Sequence, residues 1–272
     1  MKKSKKTGKA SAVRPRTAIE GVQTPDKVLC LMQATILDGG SSTLSSLADS
    51  LGIPNSSARR MAAFLEQRGY ISRVARGRYG VGLGFVELAN HATHEAYLCS
   101  VARAPLEKLV RKTHAMVHLG ILENDMVTYL MRIGESDSEI ATDQGAQREA
   151  YCTGIGKVLL AGLSRTDLDA YLSAGDFVRL TPGTITEAGL LKDELQAIRE
   201  CGYGLDRAEM FDRIHCLAVP IELGGRTVAA LSVSRSGSAP SEQQLKRDFK
   251  SARECASAIK GVVDGGLSGQ TP

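Results

Sequence analysis

Residues 53–82 combine an apolar helical stripe with side chains that can hydrogen-bond to a polyanion. Ala58, Met61, Ala62 and Leu65 stand at positions i, i+3, i+4 and i+7, so they predict a helix with one face in a core. The candidate contacts are Ser56, Ser57, Arg59 and Arg60 near the start of this helix, and Arg73, Arg76 and Arg78 after it. Arginine can bind a guanine edge or a phosphate, and serine is a short donor for phosphate. This chemistry suits a helix and a flanking element that contact DNA.

Three predicted helices and one hairpin would position these side chains. The signals, in chain order, are a helix start at Thr24-Pro25, a helix end at Gly39-Gly40, a cap at Ser42 or Thr43, and a third helix over about 55–68. Strands at 70–74 and 78–81 then flank a turn at Arg76-Gly77. Three helices followed by a basic hairpin predict a winged helix-turn-helix.

The alternative interpretation is that the arginines form only a solvated helix face. Each arginine alone fits that interpretation, and Arg60, which lies beside the apolar stripe, could brace the domain instead of touching DNA. Arg68 could add a contact with the flanking DNA backbone. The helices, the turn and the Arg-rich hairpin favour DNA binding when they are taken together.

The charge distribution is asymmetric although the net charge is only +4. Residues 1–86 carry a balance of +9 and the remaining residues a balance of −5, which suggests that the first part meets an anionic partner. The segment 1–23 is expected to be a disordered basic tail. It could be a solubilising arm or could bind phosphates without sequence preference.

The rest of the chain mixes helical and strand patterns. A helical pattern runs from about Leu83 to His114 and is interrupted near Pro105. Further strands are predicted at 115–122, 126–133, 216–223 and 227–234, and further helices at 156–163, 166–173, 187–200 and after the capping box at Ser241. Hairpins mixed with helices predict an α+β fold with an antiparallel sheet.

A second set of side chains could bind a small anion. Gly154, Ile155, Gly156 and Lys157 precede an apolar helix, where glycines let backbone N–H groups face a ligand and the helix dipole favours negative charge. Ser232 and Ser234 are two apart, so they share one face of a strand. A phosphate-binding loop is excluded because the motif needs glycine at 151 and a hydroxyl residue at 158. A small carboxylate fits better; the alternative is a helix entry that is only tightly packed.

Four sequence phrases resemble the IclR-type transcriptional regulators. The phrase LADSLGIPNSSARRMAAFLEQRGYISRVARGRYGVG is similar to the helix-turn-helix and wing of that family. YCTGIGKVLLAGL, RECGYGLDRAEMFDRIHCLAVPI and VAALSVS are similar to its effector-domain signatures and follow in the same order. The resemblance covers about residues 24–264. It implies a winged-helix domain, a linker helix, a GAF-like effector domain, and dimers, often paired into tetramers, on palindromic operators.

The resemblance also implies a domain division and an effector pocket. The expected segments are a basic tail at 1–23, the DNA-binding domain at 24–84, a linker helix at 85–100, an effector-binding and oligomerisation domain at 101–264, and a tail at 265–272. The residues that match the family's pocket are Gly154 and Ile155 as backbone donors, Asp206 as the acid, Cys216, Ser232 and Ser234 on strands, and Leu130 and Ile133 as an apolar wall.

Two features depart from the family's pattern. The family often has a second acid directly after the residue that Asp206 matches, and here Arg207-Ala208 intervenes before Glu209. In addition, a two-residue turn at Gly224-Gly225 would pair Cys216 with Val233 and turn Cys216 away from the two serines. A three-residue loop or a bulge would restore a shared face.

Other classes of protein fit the chain less well. Cys216 and His215 are adjacent on a strand and point to opposite faces, so they form no nucleophile and base pair. His114 and His118, four apart on a strand, would lie roughly 13 Å apart, too far for one metal ion. The six cysteines form no CxxC pair, and a signal peptide and an apolar run of about 18 residues are both absent. We therefore expect a cytoplasmic protein that is not an enzyme and has no cofactor, metal or membrane partner.

The sequence thus predicts a ligand-responsive DNA-binding regulator of catabolic genes. Its effector would be a small organic acid, aromatic or hydroxylated, and its other partners would be a palindromic operator and further copies of the chain. The alternative is a ligand-free structural DNA-binding protein whose C-terminal half only mediates association.

Overall fold

The computed structural model describes residues 23–134 and 143–268. The predicted basic tail at 1–23 lies outside the described residues except for Gln23. The chain divides into two compact units, one that ends at His94 and one that begins at Glu95.

The first unit contains a three-helix cluster and a two-stranded sheet. Its elements are α1 (Gln23–Asp38), α2 (Leu44–Ser50), α3 (Asn55–Gln67), β1 (Ile71–Ala75), β2 (Arg78–Val81) and α4 (Leu83–His91). β1 and β2 pair in an antiparallel hairpin. The core is formed by Leu31, Leu44, Ala48, Ile53, Ala58, Ala62, Leu65, Ile71 and Tyr79. The predicted winged helix-turn-helix is therefore confirmed.

The predicted signals act at the ends of these helices. The Thr43 Oγ1 atom accepts a hydrogen bond of 3.3 Å from the N–H of Ser46 and so caps α2. Gly69 follows α3 with φ at +73°, a conformation that favours glycine, and its N–H bonds to the carbonyl of Glu66. α1 begins at Gln23, one residue before the predicted cap Thr24.

The second unit is built on a six-stranded antiparallel sheet. Its strands are β3 (Met116–Glu123), β4 (Met126–Ile133), β5 (Gln147–Glu149), β6 (Gly204–Arg207), β7 (Ile214–Leu223) and β8 (Arg226–Ser236), in the order β5-β4-β3-β8-β7-β6. The sequence did not predict β5 and β6 because three or four residues are too few to show a strand period. The predicted α+β class with an antiparallel sheet is confirmed.

Helices cover both faces of this sheet. They are α5 (His94–Thr113), α6 (Gly154–Ala161), α7 (Arg165–Ala174), α8 (Ala188–Cys201) and α9 (Glu242–Ser268). α5 and α9 pack with Val117, Leu119 and Leu231 on one face. α6, α7 and α8 pack with Val127 and Ala230 on the other. Alternate strand residues thus enter two separate cores.

The helical pattern from 83 to 114 breaks at a different place from the predicted one. α4 ends at His91 and α5 begins at His94, whereas Pro105 lies inside α5. The buried residues Ala102 and Leu106 continue the apolar stripe of α5 across the proline. Burial of that stripe holds the helix together although proline removes one hydrogen bond. The segment 85–100, expected to be one linker helix, is therefore divided between α4 and the first part of α5.

The packing around α6 leads to a testable prediction about stability. A Cβ atom on Gly156 would overlap the backbone of Ala150, whereas a Cβ atom on Gly189 in α8 would meet open space. We expect Gly156→Ala to lower the free energy of unfolding by about 1–3 kcal/mol, as overpacking does. Gly189→Ala should raise it by about 0.5–1 kcal/mol through helix propensity.

Chemical denaturation of the two variants, followed by circular dichroism, measures both effects. Gly189→Ala serves as the control for the added methyl group. Equal midpoints for the two variants would contradict the close approach of Gly156 to Ala150.

Candidate functional site

One face of α3 is polar and points away from the core of the first unit. Ser56, Arg59 and Arg60 are exposed and Ser57 is half-buried, while the opposite stripe of α3 is buried at Ala58, Ala62 and Leu65. The apolar stripe requires this arrangement, because residues that flank it at helical spacing must point away from the core. The four predicted contact residues of α3 are therefore available to a partner.

The arginines of the β1–β2 hairpin are exposed, but two of them also stabilise the hairpin. The Arg73 guanidinium donates a hydrogen bond of 3.0 Å to the Tyr79 hydroxyl and lies 5.5 Å from the centre of that ring. Arg78 donates a hydrogen bond of 2.7 Å to the carbonyl of Ser41, in the turn between α1 and α2. Arg76 stands exposed at the hairpin turn. The hairpin thus presents three cations and is itself anchored to the helices.

A bulge in the β7–β8 hairpin decides the orientation of Cys216. The turn at Gly224-Gly225 has two residues, but the register shifts between Ile221 and Glu222. Beyond the shift Cys216 pairs with Ser234, and Ala218 pairs with Ser232. Because directly paired residues point to the same face, Cys216 and the two serines share one side of the sheet.

These residues line a small cavity between the sheet and the N-terminus of α6. Its lining is His118, Tyr129, Thr153, Gly154, Ile155, Asp206, Met210, Phe211, Ile214, Cys216, Ser232 and Ser234. The volume that the centre of a water molecule can occupy in this cavity is about 30 Å³. The structure therefore brings together Gly154, Ile155, Asp206, Cys216, Ser232 and Ser234, six of the eight residues expected to bind an effector.

Leu130 and Ile133 do not line this cavity. Both pack on the opposite face of the sheet, against the core that contains α5 and α9. The reason is a bulge in β4: Leu119 pairs with Met131 and Gly120 with Tyr129, so that Leu130 is left unpaired and the strand changes faces. Leu130 and Ile133 therefore do not form the apolar wall that the resemblance implies. Tyr129 lies on the cavity side of the sheet instead.

Two backbone N–H groups at the start of α6 remain for a ligand. Thr153 caps the helix: its Oγ1 accepts from the N–H of Gly156 at 3.1 Å, and its carbonyl accepts from the N–H of Lys157 at 2.9 Å. Within the described part of the chain, the N–H groups of Gly154 and Ile155 make no such bond. Gly154 also lies close to β7, since a Cβ atom there would be 3.4 Å from those of Ala218 and Cys216.

A buried ion-pair network lies behind the cavity. Lys157 is fully buried, and its Nζ donates to Glu209 at 2.7 Å and to Glu194 at 3.0 Å. Arg207, which stands where the family often has a second acid, pairs with Glu194 at 3.0 Å. The lysine charge is thus satisfied by carboxylates and not offered to a ligand. Sequence reasoning missed this network because its members are distant in the chain.

Asp206 contributes a buried carboxyl group to the cavity. Its Oδ1 accepts a hydrogen bond of 2.7 Å from the N–H of Glu209. Burial, together with the negative charge of Glu209, raises the pKa of Asp206 to about 7, although the backbone hydrogen bonds and Lys157 oppose this. At neutral pH both forms of the carboxyl group are therefore populated. The protonated form can donate a hydrogen bond to a ligand, and the ionised form repels an anionic ligand.

His118 and Tyr129 line the cavity, although the sequence does not predict either of them there. His118, which the sequence offers only as a candidate metal ligand, has its Nδ1 3.4 Å from the Ser234 hydroxyl. Tyr129 meets the His118 ring edge to face, with the ring centres 5.3 Å apart. The signal for His118 is its pairing with Ser232 across β3 and β8, which becomes visible only when the strand register is known.

The raised pKa of Asp206 predicts how stability depends on pH. The folded state binds the proton more tightly than the unfolded chain, so stability falls as pH rises through the window from 3.8 to about 7. Asp206→Asn keeps an oxygen for the N–H of Glu209 and removes the titration. We expect the variant to gain about 2–3 kcal/mol relative to the parent between pH 5 and pH 8.

Urea denaturation at both pH values checks this expectation. The neighbours that interact with the residue at 206 are the same in the parent and in the variant: Lys157, Glu209 and Cys216. Asp176→Asn, at an exposed position, is the matched control and should follow the parent at both pH values. A constant difference between Asp206→Asn and the parent would show that the carboxyl group titrates normally.

Both units are similar to domains of known proteins. The model of the IclR helix-turn-helix domain matches residues 26–75, and the model of the bacterial transcriptional regulator IclR C-terminal domain matches residues 90–261. The regulator XynR of Escherichia coli is 31% identical over 72% of this chain and 79% of that protein. The regulator KdgR of the same organism is 29% identical over 75% of this chain and 78% of that protein.

Solved structures show the same architecture. A transcriptional regulator from Rhodococcus sp. RHA1 is 30% identical with a TM-score of 0.58, and it covers 88% of this chain and 97% of its own. Thermotoga maritima IclR is 26% identical with a TM-score of 0.60, and the match covers 88% and 98% of the two chains. An IclR homolog from Microbacterium hydrocarbonoxydans, solved with 4-hydroxybenzoate, is 24% identical with a TM-score of 0.58 and covers 88% and 98%.

A winged helix-turn-helix with exposed arginines, a small polar cavity in the second unit and matches to both family models converge on one assignment. The chain belongs to the IclR family of bacterial transcriptional regulators.

Proposed function

We propose that the protein is a ligand-responsive regulator whose affinity for an operator depends on a small organic acid bound in the cavity of the second unit. The observation that carries this proposal is the cavity itself. Two backbone donors of α6 and two serine hydroxyls converge there with a carboxyl group. The same chain carries an exposed basic recognition surface.

The DNA-binding part of the proposal rests on α3 and the hairpin. α3 would enter the major groove with Ser56, Ser57, Arg59 and Arg60, and the hairpin would contact the flanking backbone. Arg76 is the hairpin side chain best placed for phosphate, since Arg73 and Arg78 also bond within the first unit. A palindromic operator follows if two copies bind together.

The ligand-binding part rests on the chemistry of the cavity. The N–H groups of Gly154 and Ile155 favour an anion at the start of a helix, and Ser232 and Ser234 supply short donors from the sheet. Asp206 suits a ligand hydroxyl or a shared proton. The cavity holds only a few water molecules, so a larger acid such as an aromatic one would require Met210 and Phe211 to move.

Coupling between ligand and DNA would pass through α4. Within the described chain none of the residues of α4 is buried, and Leu83, Val86 and Leu88 are exposed. Such a helix suits packing against a second copy, which supports a homodimer or a pair of dimers. A ligand shifts the arrangement only if it binds one state more tightly than the other. The targets would be catabolic genes, and the role is that of a sensor without an enzymatic reaction.

One prediction of the proposed function concerns the recognition helix α3. We expect Arg59→Ala to weaken binding to DNA from upstream of the protein's own gene by about 1–3 kcal/mol, roughly 5–150-fold. Arg165→Ala, which removes the same charge from an exposed site at the start of α7, is the control and should bind as the parent does.

Fluorescence anisotropy at several salt concentrations measures both affinities, with scrambled DNA of equal length as the reference. Phosphate contacts make the affinity salt-dependent, so a smaller salt slope for Arg59→Ala would assign that residue to a phosphate. Equal, weak binding of upstream and scrambled DNA would reduce the first unit to a non-specific basic surface.

A further prediction of the proposed function concerns the coupling between ligand binding and operator binding. A thermal-shift screen of small organic acids, including 4-hydroxybenzoate, should identify acids that raise the melting temperature. Such an acid should change operator affinity by about 1–3 kcal/mol at constant salt. Ser232→Ala should weaken both effects because it removes a cavity donor. An operator affinity that no bound acid changes would favour the ligand-free structural role instead.

A further inference from the structure

His118 lines the cavity and carries one polar atom without a hydrogen-bond partner among the described residues. The residue is 3% exposed, and this atom is its buried Nε2, whereas its Nδ1 lies 3.4 Å from the Ser234 hydroxyl. A buried polar atom that stays unsatisfied costs free energy comparable to a lost hydrogen bond. The fold tolerates this cost at the wall of a cavity, where a ligand could remove it.

The sheet sets the distance between His118 and the start of α6. His118 lies on β3 and pairs with Ser232 on β8, which pairs in turn with Ala218 on β7. Gly154 packs against Ala218. Two strand spacings, roughly 9–10 Å, therefore separate the backbones that carry the two ends of the cavity. The two serines lie between them.

His118 would act without a net charge. Burial, helped by the positive charge of Arg132, lowers the pKa of His118 to about 4. The neutral ring offers one donor and one acceptor nitrogen. The Tyr129 ring, packed edge to face, holds its orientation. Such a group can donate to or accept from a neutral polar atom such as a hydroxyl.

We propose that His118 is a ligand-contacting residue whose Nε2 hydrogen-bonds a hydroxyl or oxo group of the bound acid, while the carboxylate lies at the N–H groups of Gly154 and Ile155. The inference rests on the proposed function, since it concerns the same cavity. It makes His118 the residue that selects acids with a second polar group.

The selection arises because only an acid with a second polar group removes the cost of the unpaired Nε2. An acid without that group would leave Nε2 unpaired, as it is in the free protein. A hydroxylated acid would satisfy it. A difference of about tenfold or more in affinity is expected from one such hydrogen bond in a closed site.

Calorimetric titration of two matched pairs tests the proposal. Propionate and lactate differ by a hydroxyl next to the carboxylate, and benzoate and 4-hydroxybenzoate differ by a hydroxyl at the far side. In at least one pair the hydroxylated acid should bind the parent protein about tenfold more tightly. His118→Phe, which keeps an aromatic ring against Tyr129, should reduce that ratio to about one.

Two further variants separate contact from a structural role. His118→Gln retains an amide near the position of Nε2 and should recover part of the ratio. His215→Phe makes the same change on the opposite face of the sheet, at a position that does not line the cavity, and should leave the ratio unchanged.

The outcomes are distinct. A hydroxyl preference that survives in His118→Phe, or that the parent lacks in both pairs, overturns the inference. Failure of the parent to bind any of the four acids also overturns it. A screened acid that changes operator affinity, and loses that effect in Ser232→Ala, would keep the proposed function in either case. Failure of this inference is therefore distinguishable from failure of the proposed function.

Discussion

A buried ammonium group must be paired, and this requirement at Lys157 organises the second unit around its cavity. Removing a charge from water costs several kcal/mol unless an opposite charge and hydrogen bonds compensate. Glu209 and Glu194 provide that compensation and tie α6 to the segment after β6 and to α8. The backbone N–H of Glu209 bonds to Asp206, so the same network holds the carboxyl group at the cavity. The ion pairs thus position the cavity residues although Lys157, Glu194 and Glu209 do not line the cavity.

Two irregularities in the sheet complete the cavity. The bulge in β4 places Tyr129 on the α6 side and Leu130 in the opposite core. The register shift between β7 and β8 brings Cys216 opposite Ser234. A regular hairpin would have placed these side chains on different faces, because side-chain direction alternates with every residue. The polarity of the cavity therefore depends on bulges as much as on residue types.

The first unit uses one residue type for two purposes. Arg59, Arg60 and Arg76 are exposed on the helix and the hairpin turn, whereas Arg73 and Arg78 also bond to Tyr79 and to the turn after α1. Anchoring the hairpin to the helices fixes the distance between the two cationic surfaces. A fixed distance is what a partner of regular geometry, such as duplex DNA, can recognise.

The sequence by itself determined the winged helix and the main helices and strands, because periodicity, caps and turn glycines act over a few neighbouring positions. It also placed Gly154, Asp206 and Ser232 through their resemblance to a family. Tertiary structure alone decided that Leu130 and Ile133 face the other core, that Lys157 is neutralised, and that His118 enters the cavity. These outcomes depend on strand register and on charges that are distant in the chain, and local patterns carry no information about either.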